Sequence, residues 1–178
     1  LAAVRAIAEN PVIDGVMGMA GGLLAVLNEQ RQILSVNETL LRLLNADDAD
    51  AVFGLRPGEA LRCVHAEAMP GGCGTSEYCR TCGAAIALVT SLGQNAPATE
   101  TCAVTVDRHG RTEDLFFRAS ACPVSCNGRR VVLLFLHNMT EQQKWQALER
   151  SFFHDINNLV TGLLGLSQIL AGDLDDKS

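Results

Sequence analysis

Apolar positions along this chain change period twice, and each change marks an element. Between residues 140 and 170 the spacing is helical. Trp145, Phe152, Leu159 and Leu166 recur every seven residues, and Ile156, Leu163 and Leu170 form a second series offset by four. Such a double series is the a/d seam of a helix that pairs with other helices. With Ile156 at an a position, His154 falls at f, pointing away from the seam. Asn158 lies four residues on and shares that outward face.

Upstream, the pattern predicts a mixture of strands and short helices. Residues 1–9 carry Leu1, Val4, Ile7 and Ala8 at helical spacing, and Asn10-Pro11 closes that helix. Residues 22–27 and 32–36 read as two strands joined by the turn Asn28-Glu29-Gln30-Arg31. Asn37 is placed to cap a helix with an apolar face of Leu40, Leu41, Leu43 and Leu44. A short helical turn is expected over 46–53, then a loop over 54–58 broken by Pro57. Irregular backbone is expected between Cys63 and Gly74, and a small-residue helix over 81–92 ending at Gly93. The remainder is strand and turn: 100–107, a turn at Arg108-His109-Gly110, 113–124, the hairpin pair Asn127-Gly128, and 130–136. Because 130–136 is apolar apart from Arg130, it belongs at the centre of a sheet.

Composition narrows the class. Of 178 residues, 48% are hydrophobic and 19% charged, enough for one ordinary domain with an appendage. A net charge of −6 argues against a nucleic-acid surface. No apolar run reaches the roughly 18 residues that span a bilayer, and nothing reads as a secretory signal, so a cytoplasmic location and no membrane segment are expected. The start at Leu1 and the stop after a single helix read as a fragment of a longer protein.

Seven cysteines are an odd number, and four of them share one stretch. Cys63, Cys73, Cys79 and Cys82 follow the spacing C-x9-C-x5-C-x2-C, interleaved with Gly72, Gly74 and Gly83. Four thiolates so close in sequence suit a tetrahedral zinc ion or an iron–sulfur cluster. Soft sulfur excludes magnesium and calcium. His65 is a possible replacement for one thiolate, and a redox-active disulfide within the group is a third option. Cys102, Cys122 and Cys126 read as small buried hydrophobes, and His109 and His137 as a turn residue and a strand-end residue.

Two resemblances follow from these motifs. Phe153-His154-Asp155-Ile156-Asn157-Asn158, followed by Gly162 and Gly165, resembles the phosphoacceptor helix of sensor histidine kinases. It implies that His154 takes the ATP γ-phosphoryl group, that Asp155 orients and deprotonates the ring, and that Asn158 positions water for dephosphorylation of a response regulator. It also implies a homodimer through the C-terminal helix, an ATP-binding domain of the same kinase and a receiver domain as partners. No nucleotide-binding residues follow, so the chain is expected to be inactive with ATP alone. The element order of residues 12–139 resembles a PAS domain, an α+β fold with a five-stranded antiparallel sheet and short helices. That domain commonly ends in an Asp-x-Thr turn, matched here by Asn138-Met139-Thr140; Thr140 and Gln143 also suit a capping box. The expected organisation is thus a linker over 1–11, a PAS-like sensor over 12–139, and the first phosphoacceptor helix over 140–178. The alternative is a metal- or redox-binding PAS module that acts only as a dimeric sensing domain.

Overall fold

The computed structural model describes residues 22–108, 110–126 and 128–175, together with Gly15; side chains are described for these except 126, 155 and 159–175. The helix expected over 1–9 and the turn residue His109 lie outside the described residues. Eleven elements carry the described residues. Strands β1 (Leu23–Leu27) and β2 (Ile33–Val36) form a hairpin, followed by helix α1 (Glu38–Leu44) and a 3-10 turn (Ala49–Ala51). Helix α2 (Pro57–Ala60), a second 3-10 turn (Glu77–Arg80) and helix α3 (Gly83–Gln94) lead to the long strands β3 (Ala98–Arg108), β4 (Arg111–Cys126) and β5 (Arg129–Asn138). Helix α4 (Thr140–Asp175) follows. Residues 1–140 and 141–178 form separate compact units.

The strands make one sheet in the order β2-β1-β5-β4-β3, with every neighbouring pair antiparallel. The apolar run is therefore central, as its composition requires. Val132, Leu134 and Leu136 of β5 join the main core with Phe117, Leu27, Ile33 and Val106. Val131 packs on the other face with Leu24, Val26 and Leu34, against Leu133 and Phe135. A strand buried on both faces loses the usual alternation of polar and apolar residues.

Local chemistry sets the helix boundaries, in two places against expectation. Pro57 does not break a loop: it is the first residue of α2, where a missing N–H costs nothing. Helix α3 runs past Gly93 and ends at Asn95, which takes the left-handed conformation at φ 50. Asn37 behaves as read. Its side-chain oxygen accepts from the N–H of Leu40 and also from that of Leu24 on β1, tying α1 to the sheet.

Two contacts hold the later part of the fold to its frame. At the exit of β5, the N–H of Thr140 donates to the Asn138 side-chain oxygen at 2.9 Å, so Asn supplies the acceptor the turn needs. The Thr140 hydroxyl, expected in a capping box with Gln143, accepts from the N–H of Phe116 on β4 at 3.0 Å. At the start of α3, Gly83 lies so close to β3 that a Cβ would drive into the Thr101 carbonyl. Replacing Gly83 by Ala should destabilise residues 1–140 by about 3 kcal/mol, because the obstacle is sheet backbone that cannot move aside. Chemical denaturation monitored by circular dichroism measures this, and an unchanged midpoint would refute the close approach.

Candidate functional site

The four clustered cysteines are brought to one place by four different local devices. Cys63 follows Arg62, which adopts φ 57 and turns the chain out of α2. Cys63 then forms an isolated antiparallel bridge with Val106 of β3, flanked by hydrogen bonds from Val64 N–H to the Thr105 carbonyl and from Asp107 N–H to the Arg62 carbonyl. Cys73 stands between two glycines with positive φ, Gly72 at 74 and Gly74 at 87. Its N–H donates to Glu59 at 3.1 Å, and its carbonyl accepts from the Arg56 guanidinium at 2.9 Å. Glu59 also accepts from the Arg56 N–H at the start of α2, so one carboxylate caps a helix and holds the cysteine loop. Cys79 lies in the second 3-10 turn, and Cys82 is the N-cap of α3.

Backbone N–H groups face each of these sulfurs. His65 and Ala66 present theirs to Cys63, Gly58 to Cys73, and Ala84 and Ala85 to Cys82. Gly74 N–H donates to Cys79 Sγ at 3.2 Å, and the buried Ser76 hydroxyl stands at 3.2 Å from the same sulfur. The glycine that turns an N–H onto Cys79 is thus Gly74. Gly83, beside Cys82, serves the close approach of α3 to β3.

All four thiols border one cavity of about 220 Å³, together with His65, Arg31 and Arg56. Its apolar wall includes Leu88, Val104, Phe117 and Leu134. His65 stacks on Tyr78 with ring centroids 4.0 Å apart and an angle of 11° between planes. Among the described residues, no group of three or more His, Cys, Asp or Glu side chains is drawn together tightly enough to hold a metal ion. The described cysteines all carry free thiols.

Cys102 was read as a small buried hydrophobe, and the structure places it in the main core. It is buried on β3, borders the same cavity, and its sulfur is 3.6 Å from that of Cys82. A tertiary pairing of this kind leaves no trace in local spacing. A cysteine on the inward register of a strand next to a cysteine motif is the only hint. Cys122 stays apart from the cavity, and His137 is exposed on β5.

The thiols differ electrostatically. Burial pushes Cys63 up, and pushes Cys73 up to about 11, with the neighbouring thiolates adding to both. Cys82 moves the other way, down to about 6, because the Cys102 thiol donates to its sulfur and the first N–H groups of α3 point at it. Cys102 is raised as the donor of that pair and by its burial.

The second site is on α4. The described seam residues Trp145, Phe152 and Ile156 are exposed in the single chain, and Leu148 and Phe153 beside them are exposed too. The Asn158 amide nitrogen lies 3.2 Å from Nδ1 of His154. The side chains of Asp155, Leu159, Leu163, Leu166 and Leu170 lie outside the described residues.

The sheet order and the helices on its face are those of the PAS fold. No protein-family model matches the chain, and no curated protein matches it. Solved structures do. An RNA-binding Light-Oxygen-Voltage receptor superposes with a TM-score of 0.50 at 15% identity, over 80% of this chain and 38% of that one. The RsLOV d2 variant gives 0.50 at 12% identity over 71% and 64%. The PAS domain of nitrogen regulation protein NR(II) from Vibrio parahaemolyticus gives 0.49 at 13% identity over 72% and 99%. At these identities the likeness concerns the fold. No helix among the described residues is long and apolar enough to cross a membrane.

The thiol pair makes a specific prediction. In metal-stripped, reduced protein at pH 7, Cys82 should alkylate faster than Cys63 and Cys73, since its pKa is lowered to about 6 while theirs are raised. Replacing Cys102 by Ala removes the donor, so the Cys82 rate should fall several-fold at pH 7 and recover as pH rises towards 9. Mass-spectrometric mapping of iodoacetamide labelling reads both rates. Equal rates in the two proteins would show that Cys102 does not govern Cys82.

Proposed function

We propose that this chain is the sensor and phosphoacceptor portion of a two-component histidine kinase. In this reading the PAS domain senses through its thiol-lined cavity, and its state controls phosphorylation of His154. The observation that carries the proposal is on α4: an imidazole at an outward position of a helix whose apolar seam is exposed, with Asn158 at hydrogen-bond distance from its ring.

The chemistry suits those groups. Phosphoryl transfer needs a ring nitrogen with a lone pair facing the donor. With the Asn158 amide nitrogen donating to Nδ1, the neutral ring carries its proton on Nε2. With the amide turned over, the carbonyl oxygen accepts from Nδ1–H and Nε2 becomes the nucleophile. Asp155 would take the ring proton, and Asn158 would later place water against the phosphorylated receiver domain. The ATP-binding domain of the same kinase docks on the outward face, and a second copy of the chain covers the seam. Asn138-Met139-Thr140 joins the central strand of the sheet to α4 without an intervening loop, so a change in β5 reaches the first turn of the helix.

A second reading is a metal- or redox-binding PAS module whose helix only dimerises. The cavity supports it, since every residue that builds the cavity lies within residues 1–140.

Labelling separates the two. Supplied with the ATP-binding domain in trans and labelled ATP, the chain should acquire acid-labile phosphate, and His154→Gln should reduce the label to background. Label retained on that variant would eliminate His154 as acceptor. Asn158→Ala should still accept phosphate but slow dephosphorylation of the receiver domain several-fold, measured by loss of label from the receiver.

A further inference from the structure

Residues 63–83 have very little core of their own. Their larger apolar side chains, Val64, Met69 and Tyr78, are exposed, and Ala66 is the buried exception. Both ends are tied to β3, through the Cys63–Val106 bridge and the approach of Gly83 to Thr101. The middle hangs on Arg56 and Glu59. A segment that buries so little apolar surface needs another crosslink to hold one shape.

The sulfurs are arranged for a particular kind of crosslink. A zinc ion holds each of four thiolates at about 2.3 Å, which brings the sulfurs to roughly 3.8 Å from one another and leaves no space between them. Here the four thiols border a cavity of about 220 Å³ and do not converge on a single point. We propose that this cavity holds an iron–sulfur cluster, with Cys63, Cys73, Cys79 and Cys82 as its ligands. The proposal rests on reading the thiol-lined cavity as the sensing site, and names what occupies it.

Three further features of the site fit a cluster. Each ligand sulfur faces backbone N–H groups, the contacts that stabilise thiolates and tune a cluster's potential. Leu88, Phe117 and Leu134 give the cavity an apolar wall, which would limit the access of water to a bound cluster. Arg31 and Arg56 line the same cavity, and their charge offsets that of four thiolates on a cationic core. Uptake of a preformed cluster makes one Fe–S bond per cysteine and releases one proton from each thiol. Cys102, at 3.6 Å from Cys82, then acts as a positioning residue: its S–H donates to a ligand sulfur without binding iron.

The test is composition of the intact chain purified without oxygen. Iron and acid-labile sulfide should be present in equal amounts, about two or four of each per chain, with a broad visible absorption. Cys73→Ser and Cys79→Ser should lose both iron and colour. Cys122→Ser should keep them. Cys102→Ala should keep its iron but shift the midpoint potential in a redox titration, a change that a purely packing role would not produce. One zinc per chain without sulfide overturns the proposal. So does a chain that stays colourless after incubation with iron(II) and sulfide. The iron, sulfide and zinc content of the unmodified chain needs no variant to fold, and it is independent of His154 labelling. Iron without labelling would defeat the kinase reading alone, and labelling with zinc would defeat the cluster alone.

Discussion

The arrangement of the thiols depends on fastening one strand, β3, at two points. Cys63 is held against Val106 by backbone pairing, and α3 begins where Gly83 meets Thr101 and Cys102. The residues between these points carry few side chains that can bury themselves, so packing cannot fix their path. Backbone hydrogen bonds at the two ends do so, and the loop between has to close over whatever lies above β3. That surface is the inner face of the sheet, and the cavity is the space left between it and the loop. The small side chains of the segment are a condition of this geometry: a bulky residue at 58, 74 or 83 would meet Cys73, Arg31 or the sheet itself.

The same fastening explains the unequal acidity of the cysteines. Cys73 sits in the loop, where burial is the larger influence and a single N–H from Gly58 opposes it. Cys82 sits where a helix starts, so several N–H groups converge on its sulfur, and the strand beneath supplies a thiol as donor. Position in the fold therefore moves two chemically identical side chains in opposite directions, Cys82 down and Cys73 up.

Much of the fold was legible in the sequence, because its strongest signals are local. The apolar run 130–136 announced a strand buried on both faces, and the structure places β5 third of five. Asn37 as a cap followed from side-chain length and polarity, and Asn138 at the exit turn from its match to the Asp-x-Thr turn of PAS domains. What escaped depended on alternatives of similar local merit. Pro57 suits a loop and the first turn of a helix equally, and only the tie between Glu59 and Arg56 decides. Gly93 and Asn95 both suit the end of a helix, and α3 continues to the second. Thr140 was matched to Gln143 nearby, whereas its hydroxyl reaches across the sheet to Phe116.

The candidate site divides along the same line. Glycine-spaced cysteines mark a thiol cluster in any sequence, and the structure gathers those four around one cavity. Cys102 could not be read from spacing, since it lies on a different element and meets Cys82 only after α3 docks on β3. The devices that point N–H groups at sulfur are likewise products of tertiary turns, such as the positive φ of Gly74 ahead of Cys79. A histidine on a helix is the opposite case. Its outward position follows from heptad counting alone, and its partner Asn158 from the pitch of the helix, so the second site needed no tertiary knowledge to locate. The thiol site is written into the way elements pack, and the imidazole site into the period of one element. Substitutions at the thiols and at His154 therefore act on separate elements of the chain.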